Sequence, residues 1–126
     1  MIEVNELTDY LDEYLEEKQE VKNLTQETIQ KQTFNISKFI EYLEEEGIEE
    51  LNDRNVKKQL RHYRRHCLKK RGNKRTTVKT YMMNILEFIN SEDVQEEIQH
   101  ETIKMKDIIE VKAEDPETAK KRIEKI

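Results

Sequence analysis

The chain has no tryptophan, one cysteine, one proline and two glycines in 126 residues. A lone cysteine, Cys67, can form no intrachain disulfide and lends no support to secretion. So few glycines and prolines leave too few turn signals for a many-stranded fold. No apolar run approaches the roughly 20 residues of a membrane helix, and no basic segment followed by an apolar one opens the chain. A soluble, cytoplasmic protein without a membrane partner is expected. The most telling lack is local: from Arg54 to Leu86 there is not one Asp or Glu.

That stretch carries twelve Lys or Arg residues, a net of +12, whereas residues 1 to 53 carry four basic and sixteen acidic groups (−12) and residues 87 to 126 seven and twelve (−5). The overall −5 therefore conceals a strongly polarised molecule. Affinity for phosphates follows local charge clusters rather than the mean, so a polyanion partner stays open. The length fits one domain, and 34% hydrophobic with 40% charged residues suits a small charged helical module. Glu, Lys, Gln, Leu and Ile dominate and favour helix, so the fold class expected is all-α.

Helical spacing of Leu7, Tyr10, Leu11, Tyr14 and Leu15 predicts a first helix over about residues 6 to 18, its acidic face a solvated one. Thr25 caps a second helix running to Glu46, with Ile29, Ile36, Phe39, Ile40 and Leu43 as its buried stripe and Gly47 as a left-handed stop. The outer side of that helix changes character along its length. Gln26, Gln30, Lys31, Gln32, Asn35 and Lys38 are neutral or basic, whereas Glu41, Glu44, Glu45 and Glu46 are acidic, so only the first half suits a polyanion.

Asn52 or Asp53 is expected to cap a third helix to about Lys70, with Val56, Leu60, Tyr63 and Cys67 buried. Lys57, Lys58, Arg61, Arg64 and Arg65 form a basic stripe beside that core face. Arg71, Gly72 and Asn73 turn into a fourth helix over about 75 to 90, with Val78, Met82, Ile85 and Ile89 inward and Leu86 and Phe88 at the margins. Its start groups Lys74, Arg75, Thr76, Thr77, Lys79 and Thr80, donors for phosphates and base edges at a helix end that favours anions. Beyond Ser91 the pattern weakens. Val94 and Ile98 suggest a short helix, Ile103 and Met105 an extended piece, and Ala119 to Ile126 a further helix after Pro116. Residues 1 to 90 are thus read as the domain and 91 to 126 as a linker-like tail.

The run from Leu24 to Ile48 resembles the opening of the core-binding domain of tyrosine recombinases, the phage-integrase family. Thr28, Ile36, Phe39, Ile40, Tyr42, Leu43 and Gly47 fill that pattern without a gap, Leu51-Asn52 with Val56 and Leu60 matches its third helix, and Arg75 to Val78, with Met82, Ile85, Phe88 and Ile89, its fourth. The likeness covers about residues 7 to 90. It departs from the family at Asn52, where Ser or Thr is usual, and in lacking the Asn-Pro after the fourth helix. The resemblance implies a four-helix SAM-like orthogonal bundle that clamps double-stranded DNA with helices 2 and 4. Thr25, Gln26, Thr28, Lys31, Gln32, Asn35, Lys38, Lys74, Arg75, Thr76, Thr77, Lys79 and Thr80 would then meet DNA, with the third-helix stripe in an auxiliary role. It also implies a catalytic domain of a parent protein beyond Ile126 and sister protomers on DNA, the isolated domain being monomeric.

No catalytic residue is assigned. His62-Tyr-Arg-Arg65 has the letters of the family's His-x-x-Arg but lies within the third helix, and the five tyrosines occupy packing positions. No cofactor is expected. His62 and His66, four apart, lack a third metal ligand, and Cys67 lacks a nucleophile's partners, so a metal or redox enzyme is disfavoured against DNA binding. The alternative kept open is a stand-alone charged helical adaptor for protein partners.

Overall fold

A computed structural model describes residues 1–109. The chain is all-α apart from one antiparallel pair of two-residue strands, β1 (Ile2–Glu3) and β2 (Glu50–Leu51), in which Ile2 faces Leu51. A 3-10 turn at Val4–Glu6 leads into α1 (Leu7–Lys22), followed by α2 (Gln26–Glu45), α3 (Val56–Lys69), α4 (Arg75–Ile89), α5 (Glu92–Ile98) and α6 (Met105–Ile108). No helix among the described residues is long and apolar enough to cross a membrane.

Each boundary has a local cause. α1 outlasts its expected end at residue 18 because Gln19 to Lys22 contain no helix breaker, and it stops where Asn23 takes a left-handed conformation (φ 49°). α2 begins at the expected cap: the Thr25 hydroxyl accepts from the Thr28 amide at 3.2 Å. It ends at Gly47 (φ 72°), where Ile48 N–H reaches Leu43 O and Gly47 N–H reaches Glu44 O, a Schellman pair that satisfies two orphan carbonyls. α3 starts later than a cap at Asn52 or Asp53 requires. Asn52 Oδ1 accepts from the Arg54 and Asn55 amides while Asn55 Oδ1 accepts from the Asn52 amide. That reciprocal turn consumes three residues, and Asn55 takes the N-cap position.

α4 lies at the centre, touching α2, α3, α5 and α6. Ile36, Phe39, Ile40 and Leu43 of α2, Val56, Leu60, Tyr63 and Cys67 of α3, and Val78, Met82, Ile85 and Ile89 of α4 share one core. Full burial contributes roughly 1.5–3 kcal/mol for each large apolar side chain. Leu86 and Phe88, expected at the margins, are buried as well, Phe88 edge-on to Tyr14 at 5.4 Å between ring centroids. Ile29, expected inside, is only half-buried.

The segment after residue 90 differs from a linker. Val94, Ile98, Ile103 and Ile108 belong to the same core, so the bundle extends through α6. Asn90 clasps the backbone of Ile103, its Oδ1 accepting from Ile103 N–H at 3.0 Å and its Nδ2 donating to Ile103 O at 2.8 Å. Met105, expected in extended chain, starts α6, whose first turn is closed by Asp107 accepting from the Lys104 amide. The helix expected over 119 to 126 lies outside the described residues.

The clasp fixes the state of His100, which is buried. Asn90 Oδ1 is an acceptor, so His100 Nε2 donates to it at 3.3 Å, leaving Nδ1 unprotonated and without a partner among the described residues. Burial, with the nearby Lys57 charge, lowers the imidazole below its ordinary 6.5. The folded state thus favours neutral His100, and this contribution to stability is complete above pH 6.5 and lost as pH falls through the lowered value. Thermal melts between pH 7.5 and 5 should show the wild type losing stability on acidification, and H100Q, which keeps a donor without titrating, losing less. Identical pH profiles would contradict this account.

Candidate nucleic-acid interface

The first half of α2 and the middle of α4 lie side by side, joined by a hydrogen bond of 2.8 Å from Asn35 Nδ2 to Asn84 Oδ1. Between them opens a cleft of about 610 Å³ whose walls include Thr28, Gln32 and Asn35 from one helix and Thr80, Tyr81 and Asn84 from the other. Amides and hydroxyls one turn apart face the same way because core residues on the opposite face, such as Ile36 and Val78, fix each helix's rotation.

Of the residues expected to meet DNA, the structure gathers Thr28, Lys31, Gln32, Asn35 and Thr80 on this cleft. Thr25 caps α2 and shares a hydrogen bond with the Thr28 hydroxyl at 2.9 Å. Gln26 is exposed on the first turn, off the lining. Lys38 sits one turn further, 3.3 Å from Glu41 and 5.3 Å from the Phe34 ring centroid. At the start of α4, Lys74, Arg75, Thr76 and Lys79 are exposed and Thr77 is half-buried. Among the described residues Lys74, Arg75 and Lys79 enter no salt bridge. The Lys74 cap position has no side-chain acceptor, so the first amides of α4 point outward unsatisfied beside three cations.

Two of the gathered side chains have structural duties. Gln32 accepts from Lys18 Nζ at 3.1 Å, and Lys31 pairs with Glu27 at 3.3 Å. Sequence reasoning missed Phe34, Tyr81 and Asn84 as cleft residues. Asn84 had a signal, standing four residues beyond Thr80 on the same helical face. Phe34 had a weaker one, an aromatic off the core stripe.

The α3 stripe does not reach the cleft. Arg61 donates from Nε and Nη2 to Asp107 O at 3.2 and 2.9 Å, tying α3 to α6. Lys57 also faces that end, and the Asp107 carboxyl is held below its ordinary value, chiefly by the Lys104 amide. Lys58 is exposed and Arg64 half-buried. Arg65, His62, His66, Lys69 and Lys70 border a separate shallow hollow. His66 packs on the Tyr42 and Tyr63 rings, and among the described residues no set of three or more His, Cys, Asp or Glu is placed to hold a metal. Arg71, between α3 and α4, donates to Tyr63 Oη at 3.3 Å and lies 5.6 Å from the Tyr81 ring centroid. Burial raises the Tyr63 phenol, so it receives Arg71 as a neutral acceptor.

Behind the cleft, Lys18 of α1 is buried and binds Glu87 of α4 as well as Gln32 of α2. Burial alone would raise the Glu87 carboxyl, but the Lys18 hydrogen bond and charge outweigh it and hold the group below its ordinary value. Comparison with protein-family models, with curated proteins and with solved structures gives no match for this chain.

Lys18→Met keeps the aliphatic stem but removes the donor from Gln32 and the charge from Glu87. Because Glu87 is partly exposed, the expected loss is about 1–2 kcal/mol rather than the larger cost of a fully buried pair. Lys22, exposed and 3.7 Å from Glu87, should cost at most about 0.5 kcal/mol on the same change. Urea unfolding of both variants checks this, and equal losses would contradict it.

Proposed function

We propose that this chain is a DNA-binding helical module that engages the duplex through the starts of α2 and α4, as its resemblance to the tyrosine-recombinase core-binding domain implies. The observation that carries the reading is the juxtaposition itself. Hydrogen-bonding side chains of two helices, 49 residues apart at Asn35 and Asn84, form one cleft, and the cations at the start of α4 enter no salt bridge among the described residues. Lys74, Arg75 and Lys79 supply phosphate contacts that orient the module, and the cleft side chains face base edges. The α3 stripe supplies long-range attraction. On this reading the module cuts no DNA itself, acts in the cytoplasm, and works with a catalytic domain of a longer parent and sister protomers on the same DNA.

The polarity of the surface favours this over a charged adaptor. Glu3, Glu44, Glu49 and Glu50 surround a second hollow beside the strand pair, whereas the acid-free stretch holds α3 and the start of α4. One acidic and one basic region orient a polyanion, which approaches only the latter.

Fluorescence anisotropy with a labelled duplex should give a Kd in the micromolar range or weaker, rising steeply with salt. Neutralising Arg75 and Lys79 together should weaken binding and flatten the log–log salt dependence by up to about two units, at roughly 0.9 per lost phosphate contact. Neutralising Lys58 and Arg65 should do less. Absence of binding even at low salt, with an acidic protein partner captured instead, would favour the adaptor.

A further inference from the structure

The chemistry of the cleft walls specifies more than a duplex. We propose that the cleft reads adenine–thymine pairs from the major groove, with the Asn35–Asn84 pair on the adenine edge and Phe34 on the thymine methyl. This rests on the DNA-binding reading above.

The two carboxamides are joined by one hydrogen bond, Asn35 Nδ2 to Asn84 Oδ1. That leaves an acceptor, Asn35 Oδ1, and a donor, Asn84 Nδ2, with no other partner among the described residues. Exchanging oxygen and nitrogen in both amides again leaves one free donor and one free acceptor on the pair. Adenine presents the complement in the major groove, an N6 donor beside an N7 acceptor. Guanine presents two acceptors, O6 and N7, so the free carboxamide oxygen would face O6 with no hydrogen between them. Cytosine offers N4 alone.

The rest of the wall agrees. Phe34 is 55% exposed although it lines a cleft otherwise rich in amides and hydroxyls. An aromatic edge there meets the methyl group that distinguishes thymine. Arg and Lys are the usual guanine readers, yet among the described residues no arginine lines the cleft, and the one lysine that does, Lys31, is engaged by Glu27 at 3.3 Å. Lys74, Arg75 and Lys79, in no salt bridge among the described residues, stand off the lining, where they suit phosphates. Glu27 at the mouth of the cleft discourages the backbone from entering and leaves the base edges as its occupant.

The test is anisotropy of the full 126-residue chain against duplexes of equal length. These are G·C-rich, A·T-rich, A·T-rich with 7-deaza-adenine, which removes N7, and A·T-rich with uracil, which removes the thymine methyl. The A·T-rich duplex should bind at least about fivefold more tightly than the G·C-rich one, and each base analogue should erode that preference. Asn84→Ala, which removes one amide of the pair and the partner that orients the other, should abolish the response to 7-deaza-adenine, and Phe34→Ala the response to uracil, each lowering affinity for the A·T-rich duplex more than for the G·C-rich one. Equal affinity for all four duplexes would overturn this inference and leave the DNA-binding reading standing. So would an A·T preference that 7-deaza-adenine does not touch, because the minor groove or duplex shape would then be the source. Equal weakening on every duplex by Asn84→Ala would assign Asn84 a structural role and overturn the inference too. Binding to no duplex at low salt would remove the DNA-binding reading itself.

Discussion

The packing of α2 against α4 is the constraint on which the rest depends. Both helices commit one face to the common core, through Ile36, Phe39, Ile40 and Leu43 on α2 and Val78, Met82, Ile85 and Ile89 on α4. Close-packed side chains leave little rotational freedom, so the polar faces that meet at the cleft are fixed in direction. Asn35 and Asn84 meet because the helices beneath them are locked. Lys18 locks the same pair from behind, reaching Gln32 on one helix and Glu87 on the other. Around this pair Arg61 ties α3 to Asp107 of α6, and the Asn90 clasp on Ile103 ties the end of α4 to the segment between α5 and α6.

Charge is distributed over this frame with a division of labour. Cations on and just after α3 are partly absorbed into the structure, as Arg61 is by Asp107 O and Arg71 by Tyr63. Those at the start of α4 enter no salt bridge among the described residues and stand beside unsatisfied helix-end amides. Numbers of charges alone would place a polyanion along α3. The hydrogen-bonding commitments shift the proposed interface to the starts of α2 and α4.

Much of the fold was legible because long helices advertise themselves. Thr25, Gly47 and the apolar stripes of α2 and α4 act through local geometry that a sequence states directly, and the first half of α2 differed from its second by simple charge. What was not legible depends on partners distant in the chain. The two-residue strands exist because Ile2 finds Leu51, and neither flank predicts the other. Residues 91 to 109 read as a linker because their apolar residues are sparse, yet Val94, Ile98, Ile103 and Ile108 each find a place in the core, held by Asn90 at Ile103 and by Arg61 at Asp107. For the candidate site, the sequence pointed to most of the α2 wall but to only Thr80 of the α4 wall, and Asn84, Phe34 and Tyr81 were missed. Their importance arises only when α2 and α4 are set side by side.

The central claim is positional: the duplex is proposed to lie across the starts of α2 and α4, not along α3. Amide chemical-shift mapping on adding an unlabelled duplex tests it most directly. The account predicts shifts concentrated in residues 25 to 35 and 74 to 84, with smaller effects over 57 to 69. Shifts confined to 57 to 69, with 25 to 35 and 74 to 84 unmoved, would contradict it even if the protein binds DNA.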